Sequence, residues 1–371
     1  MLVIFAGGGT GGHIYPGVAV ARALAAIDPG VTVQFWGSGR PLEAEILAKE
    51  NMPYRALPCA PLPKSPLAVP RFLWSLASGF LAAASLVKSS GVCAVVGLGG
   101  YSSFAPVWAA SRRGSPRCGL PTFLLEQNAV PGVANVRLAR RVSLVCLSWE
   151  ASASRLPAGA RFETTGNPLR RSLIDAAASA SYDPQAGILV LGGSTGAVGV
   201  NSLVTGAAKS LAELRRPITH QTGSADLPTV RDAYKAAGVE ARVVPYIDDM
   251  PAAYRSAALV IARAGGTTLS ELALFGLPSI LVPYPYHKDY HQMQNARIFT
   301  DAGAAEIIEE QKTSASSLAE AGLAEVAVKL LRDPARLQSM RAAARRLARP
   351  EAAETIASRI WSAVGASPPA S

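Results

Sequence analysis

Leu2-Val3-Ile4-Phe5-Ala6-Gly7-Gly8-Gly9-Thr10-Gly11-Gly12-His13 opens the chain directly after Met1. An apolar run of strand length meets a glycine loop. Pro16 and Val18-Ala19-Val20-Ala21-Arg22-Ala23-Leu24 follow as a helix. Glycine lets the backbone approach a ligand closely and tolerates positive φ. The helix behind the loop turns its unbonded N–H groups and positive dipole end toward it. Strand, glycine loop and helix in that order predict an anion site, most often for phosphate. His13 stands at the loop exit and is one of 4 histidines.

The loop alone fits a loose dinucleotide fingerprint. That reading wants an acidic residue at the end of the second strand. Val31 to Trp36 is the predicted second strand, and it runs instead into Gly37-Ser38-Gly39-Arg40. The Gly-Lys-Ser/Thr ending of a P-loop is also missing.

The pattern recurs. Val92 to Val96 leads into Gly97-Leu98-Gly99-Gly100-Tyr101-Ser102-Ser103, and Thr122 to Leu125 ends in Glu126-Gln127-Asn128. Polar residues at a strand's C-terminal end lie at the ligand edge of a parallel sheet. Gly166-Asn167-Pro168 reads as a hinge. Beyond it Ile188 to Leu191 meets Gly192-Gly193-Ser194-Thr195-Gly196-Ala197, and a helix is predicted from about Val200 to Leu214. Further strands are predicted at 217–221, 242–244, 258–262 and 279–283. The last strand but one leads into Ala264-Gly265-Gly266-Thr267-Thr268-Leu269-Ser270-Glu271, again a donor-rich helix start. Glu271 fits either the favourable charge at a helix start or a ribose acceptor. Two such halves predict an α/β chain of two Rossmann-like domains facing across a cleft. The expected bounds are 1–165, 166–350 and a C-terminal helix with tail, 351–371, that packs back on the first domain.

Composition narrows the class. The chain has 371 residues, 49% hydrophobic and 17% charged, which suits two globular domains. Its 4 cysteines form no CxxC pair, which predicts reduced thiols and no structural zinc. His287 and His291 lack an HExxH context, and no Asp-x-Asp pair is present, so no metal is expected. Met1 leads straight into a strand, so no secretory leader is expected. The net charge is +10, and residues 1–165 hold 15 Lys/Arg against 7 Asp/Glu. That bias suits an anionic membrane surface or a pyrophosphate. No nucleic-acid motif accompanies it, so nucleic acid is not an expected partner.

Residues 57–71 carry five prolines and read as a loop. Phe72 to Val87 then forms an apolar segment between Arg71 and Lys88, short for a membrane span. It fits a core helix, or an interfacial helix anchored by Phe72, Trp74 and Phe80 with a basic rim.

Taken in order, the glycine motifs, Glu126-Gln127-Asn128, Gly166-Asn167-Pro168, Gly265 to Glu271 and His291-Gln292 with Asn295 resemble the MurG family of peptidoglycan glycosyltransferases over nearly the whole chain. The resemblance implies a GT-B fold and inverting, metal-independent transfer of N-acetylglucosamine from UDP-GlcNAc. The implied acceptor is the C4 hydroxyl of undecaprenyl-pyrophosphoryl-MurNAc-pentapeptide, lipid I. It also implies a peripheral place on the cytoplasmic face of the inner membrane, with other cell-wall synthesis or division proteins as further partners, and no cofactor. By the same resemblance, UDP-GlcNAc contacts fall on Thr10, Gly11, Gly12, Asn128, Arg170, Ser194, Ile247, Gly266, Thr267, Thr268, Leu269, Ser270, Glu271 and Gln292. Ile247 would offer backbone to the uracil. Gly99, Gly100, Tyr101 and Ser102 are expected to bind the acceptor. His13 is the first candidate general base, with acceptor or phosphate binding as its rival role, and Glu126 is the alternative base. Leu125 departs from the histidine that the family often carries before Glu-Gln-Asn.

Three other readings compete. A UDP-sugar epimerase would share the fold, an NAD-dependent oxidoreductase would need the missing acid, and a nucleotide-sugar-binding scaffold would lack turnover.

Overall fold

The computed structural model describes residues 1–59, 65, 67, 69–89, 91–111, 119–192, 196–286, 289–310 and 316–365. The chain divides into two compact units, Met1–Arg170 with the segment from Arg349 onward, and Arg171–Ala348. The junction thus follows Arg170, a few residues after the Gly166-Asn167-Pro168 breaker.

The first unit runs β1 (Leu2–Ala6), α1 (Gly11–Ile27), β2 (Thr32–Gly37), α2 (Pro41–Lys49), β3 (Tyr54–Ala56), α3 (Val69–Ser89) and β4 (Val92–Gly97). It continues with α4 (Phe104–Ala110), β5 (Thr122–Glu126), α5 (Val133–Leu138), β6 (Leu144–Leu147) and β7 (Phe162–Thr164). The strands form one parallel sheet in the order β3-β2-β1-β4-β5-β6-β7. Val3, Ile4, Phe5, Val95 and Val96 are fully buried, as strands covered by helices on both faces must be.

The second unit runs α6 (Arg171–Ala178), β8 (Gly187–Leu191), α7 (Val198–Gly206), α8 (Ala208–Ala212), β9 (Ile218–Gln221), α9 (Leu227–Ala236) and β10 (Arg242–Val244). Then come α10 (Met250–Arg255), β11 (Ala257–Ala262), α11 (Gly266–Phe275), β12 (Ser279–Leu281), α12 (His291–Asp301), β13 (Ala305–Ile307), α13 (Ser316–Leu331) and α14 (Pro334–Arg346). Its parallel sheet has the order β10-β9-β8-β11-β12-β13. The helix expected from Val200 to Leu214 is two helices, broken at Ala207.

The last helix, α15 (Ala352–Ala363), belongs to the first unit. Ile356, Ala357 and Ile360 are fully buried in the same cluster as Val18, Val20 and Leu24 of α1. Arg359 adds a paired hydrogen bond to Glu163, at 2.8 and 3.1 Å.

Each sheet reverses its strand order once, between β1 and β4 in one unit and between β8 and β11 in the other. Open α/β sheets bind ligands at that switch point, beyond the C-terminal strand ends. The glycine loops 7–12 and 97–100 leave one such point. Gly192 after β8 and the stretch from Arg263 to Glu271 lie at the other.

The apolar segment at 72–87 is longer in the structure, spanning the 21 residues of α3. It is not a core helix along its length. Ala83 and Val87 enter the core, yet Leu73 is 56% exposed, Trp74 72% and Leu81 68%. By length and composition α3 is apolar enough to cross a membrane.

Candidate functional site

In the first unit the two glycine loops meet backbone to backbone. Gly7 has φ +133°, and a Cβ there would lie 2.8 Å from the carbonyl oxygen of Gly99. Gly99 itself has φ +95°, and its Cβ would lie 3.3 Å from Cδ2 and 3.4 Å from Nε2 of His13. The same point is 3.6 Å from Oε1 of Gln127. His13, Gly99 and Gln127 therefore converge at the switch point. Gln127 is buried there and donates from Nε2 to the Leu98 carbonyl at 3.3 Å. On its other side the imidazole meets Thr10, with Nδ1 3.5 Å from Oγ1. Thr10 is exposed, while Gly11 is buried beside Tyr15. Gly12 and His13 are half-buried at the first turn of α1.

Glu126 ends β5 with only 2% of its surface exposed. Its Oε1 accepts from the Asn128 backbone N–H at 3.0 Å and more loosely from its Nδ2 at 3.5 Å. Its Oε2 accepts from the Gly132 N–H and from Asn135 Nδ2, each at 2.8 Å. Burial pushes this carboxyl up from its ordinary value, and the four donors pull it back. The group organises the loop from 126 to 135 and is walled off from solvent. Asn128 lies at the edge of that loop, its carbonyl held by the Ser152 hydroxyl at 2.8 Å.

Gly100 leads into a 3-10 turn at Tyr101–Ser103. Ser103 donates to the Gly100 carbonyl at 2.8 Å, which fixes the loop. Ser102 is buried and Tyr101 half-buried. Arg170 closes the first unit, its guanidinium 4.3 Å over the Tyr15 ring. Its Nε is buried with no hydrogen-bond partner among the described residues. Leu125 is 1% exposed in the β5 core, so its side chain supports the sheet.

In the second unit α11 starts at Gly266, capped by Gly265 with no side-chain cap bond. Leu269 is fully buried, and its N–H already bonds the Gly265 carbonyl at 2.9 Å. Ser270 turns its hydroxyl back to the Gly266 carbonyl at 2.9 Å. Thr267 and Thr268 are half-buried on the first turn. Glu271 accepts from the hydroxyl of Tyr254 at 2.6 Å. Tyr254 is 1% exposed on α10, a few residues after Ile247. Ile247 is itself buried, so what it can offer a ligand is backbone.

Gln292 accepts the Tyr284 N–H on Oε1 at 2.9 Å. Asn295, fully buried on the same helix, donates to the Ala264 carbonyl at 2.9 Å and ties α12 to the glycine turn. On β9, His220 bridges Tyr234 at 3.1 Å and Asn201 at 3.0 Å. Burial pushes its imidazole down to about 4. Ser194 and His287 lie outside the described residues. Among the described residues no group of three His, Cys, Asp or Glu side chains is arranged to hold a metal.

The structure thus gathers Thr10, Gly11, Gly12, His13, Gly99, Gly100, Tyr101, Glu126 and Asn128 at one sheet edge. It places Gly266 to Glu271 at the corresponding edge of the other unit. Tyr254 and Tyr15 were not marked by any motif, since each acts through a partner distant in sequence or on a neighbouring turn.

Two doubly wound units, each with glycine loops at its switch point, define a GT-B glycosyltransferase fold. Residues 3–146 match the family 28 glycosyltransferase N-terminal domain, and residues 187–356 match the family 28 C-terminal domain. The UDP-N-acetylglucosamine–N-acetylmuramyl-(pentapeptide) pyrophosphoryl-undecaprenol N-acetylglucosamine transferase of Myxococcus xanthus is 39% identical, covering 96% of this chain and 91% of its own. The protein of the same name from Geobacter sulfurreducens is also 39% identical, covering 96% and 97%. The crystal structure of Acinetobacter baumannii MurG superposes with a TM-score of 0.76 at 29% identity, covering 97% of this chain and 99% of that one. The chain belongs to the MurG family of N-acetylglucosamine transferases. A UDP-GlcNAc 2-epimerase from Neisseria meningitidis shares the fold alone, with a TM-score of 0.68 at 14% identity, covering 98% and 100%.

Proposed function

We propose that this protein transfers N-acetylglucosamine from UDP-GlcNAc to the C4 hydroxyl of the muramoyl sugar of undecaprenyl-pyrophosphoryl-MurNAc-pentapeptide, with inversion and without a metal. The observation that carries the chemistry is His13, an imidazole set against Gly99 where two glycine loops meet. A nitrogen of His13 takes the C4 hydroxyl proton as the oxygen attacks C1 of the donor. The C1–O bond to the diphosphate breaks, and UDP leaves on the opposite face. Glu126 is not suited to be the base, because its carboxylate is enclosed and bonded on both oxygens. Its role is to hold Asn128 in place.

On the donor side Glu271, oriented by Tyr254, accepts from the ribose hydroxyls. The N–H groups at Gly266, Thr267 and Thr268 receive the diphosphate charge at the start of α11. Leu269 and Ser270 shape that turn, since the N–H of one and the hydroxyl of the other are spent inside the helix. Ile247 offers backbone to the uracil, and Gln292 keeps its amide nitrogen for the donor. Thr10, Gly11, Gly12, Asn128 and Arg170 complete the donor contacts, with Ser194 from the loop after β8. Gly99, Gly100, Tyr101 and Ser102 line the acceptor side.

The exposed apolar face of α3 seats the enzyme on an anionic membrane at the cytoplasmic surface. The linkage in the product tests the chemistry. Nuclear magnetic resonance of the released disaccharide should show a β-1,4 bond, and an α bond would overturn the single displacement.

A further inference from the structure

We infer that Arg40 binds the diphosphate of the lipid acceptor. The inference rests on the transferase reading above and adds a residue to it. Arg40 stands just before α2, three residues past Gly37 at the end of β2, on the edge where dinucleotide-binding folds carry an acid for a ribose. A guanidinium at that edge selects an anion instead.

Its place is defined by both glycine loops. Nη1 lies 3.5 Å from the position a Cβ would take on Gly9, in the first loop. The guanidinium carbon lies 5.8 Å from the centroid of the Tyr101 ring, beside the second loop. Arg40 is exposed, and among the described residues no carboxylate forms an ion pair with it.

The backbone that carries it is held from below. Buried Glu43 accepts from the Ser38 N–H and hydroxyl, each at 2.8 Å, and from the Gly39 N–H at 3.2 Å. Tyr54 donates to the same carboxylate at 2.7 Å, and its oxygen accepts from the Gly39 N–H at 2.9 Å. Pro41 follows as the first residue of α2 and fixes the exit. The nearby acid is thus engaged with loop donors, and the guanidinium keeps its charge for a ligand.

Backbone N–H groups and a helix end supply partial charges only. A diphosphate diester carries two full negative charges, and an arginine fork binds phosphate oxygens in pairs. Arg40 stands beside Tyr101 on the acceptor side, so the anion that meets its full positive charge is the acceptor's diphosphate.

Steady-state kinetics with both substrates varied test this on the full-length protein. Arg40→Ala should raise KM for a short-chain polyprenyl-diphosphoryl-muramoyl-peptide at least tenfold, with KM for UDP-GlcNAc within twofold. Arg40→Lys should recover part of the loss, and added guanidinium ion should partly rescue Arg40→Ala. Farnesyl diphosphate should inhibit the wild-type protein more strongly than Arg40→Ala. Because the side chain is exposed, both variants should melt with the wild-type protein. An unchanged acceptor KM in active Arg40→Ala would overturn the assignment, as would a rise confined to the donor KM. Absence of transfer by the wild-type protein would instead count against the transferase reading.

Discussion

The His13 imidazole rests against Gly99, so closely that a Cβ on residue 99 would stand 3.3 Å from its ring. Gly99 also has φ +95°, which an L side chain resists. Gly99→Ala should therefore both strain the loop, by about 1–2 kcal/mol, and displace the ring. Turnover should fall at least tenfold, while UDP affinity falls far less, because Glu271 and the start of α11, to which the ribose and diphosphate are assigned, belong to the other unit. Parallel turnover and calorimetric measurements check this, and an equal loss of both quantities would count against it.

The buried carboxylate of Glu126 separates a structural role from a catalytic one. Glu126→Ala leaves four donors without their acceptor and should cost roughly 3 kcal/mol of stability. Glu126→Gln retains shape and one acceptor oxygen. Its turnover per folded molecule should stay within about tenfold, less than the ~10²–10⁴ that loss of a general base removes. Denaturation curves beside active-site titration give both numbers.

A pH dependence follows from His220. The buried imidazole is held neutral with its pKa pushed down to about 4, against 6.5 for a free side chain. The unfolded chain takes up a proton between these values and the folded unit does not. The stabilisation is complete above pH 6.5 and is lost as pH falls toward 4, on the order of 3 kcal/mol in all. His220→Gln should flatten this acid limb in melting curves recorded from pH 7 to pH 4. An unchanged slope would place the acid sensitivity elsewhere.

Much of this was legible in the chain because glycine announces itself. Gly7 to Gly12, Gly97 to Gly100 and Gly265-Gly266 follow apolar strand runs, and the structure puts each at a strand's C-terminal end beside the switch point. What a side chain does once there was not legible. Glu126 reads as a ligand-edge acid, but its partners Gly132 and Asn135 appear only when the loop folds back on it. Tyr254 reaches Glu271 across two helices, and Asn295 reaches Ala264 from the far side of β12. The short strands β3 and β13 carry too few residues for a period to show. Alternation of polarity also could not separate the core from the exposed face of α3, since both faces are apolar.

That exposed face makes its own prediction. Replacing Leu73, Trp74 and Leu81 together with Ser should leave the melting temperature within a few degrees, because these side chains project outward. Binding to vesicles containing anionic lipid should drop at least tenfold in a sedimentation assay. Phe80 is the wrong choice for this test, because it packs against the core cluster under α3. Unaltered vesicle binding by the triple variant would remove α3 from the membrane contact.

The most direct test of the whole account is a transfer assay with purified protein, radiolabelled UDP-GlcNAc and a short-chain lipid-diphosphoryl-muramoyl-pentapeptide, with a metal chelator present. Labelled disaccharide-lipid should form, with one UDP released for each sugar transferred. Protein that binds UDP yet forms no labelled lipid, or that releases UDP with an epimerised sugar, would contradict it.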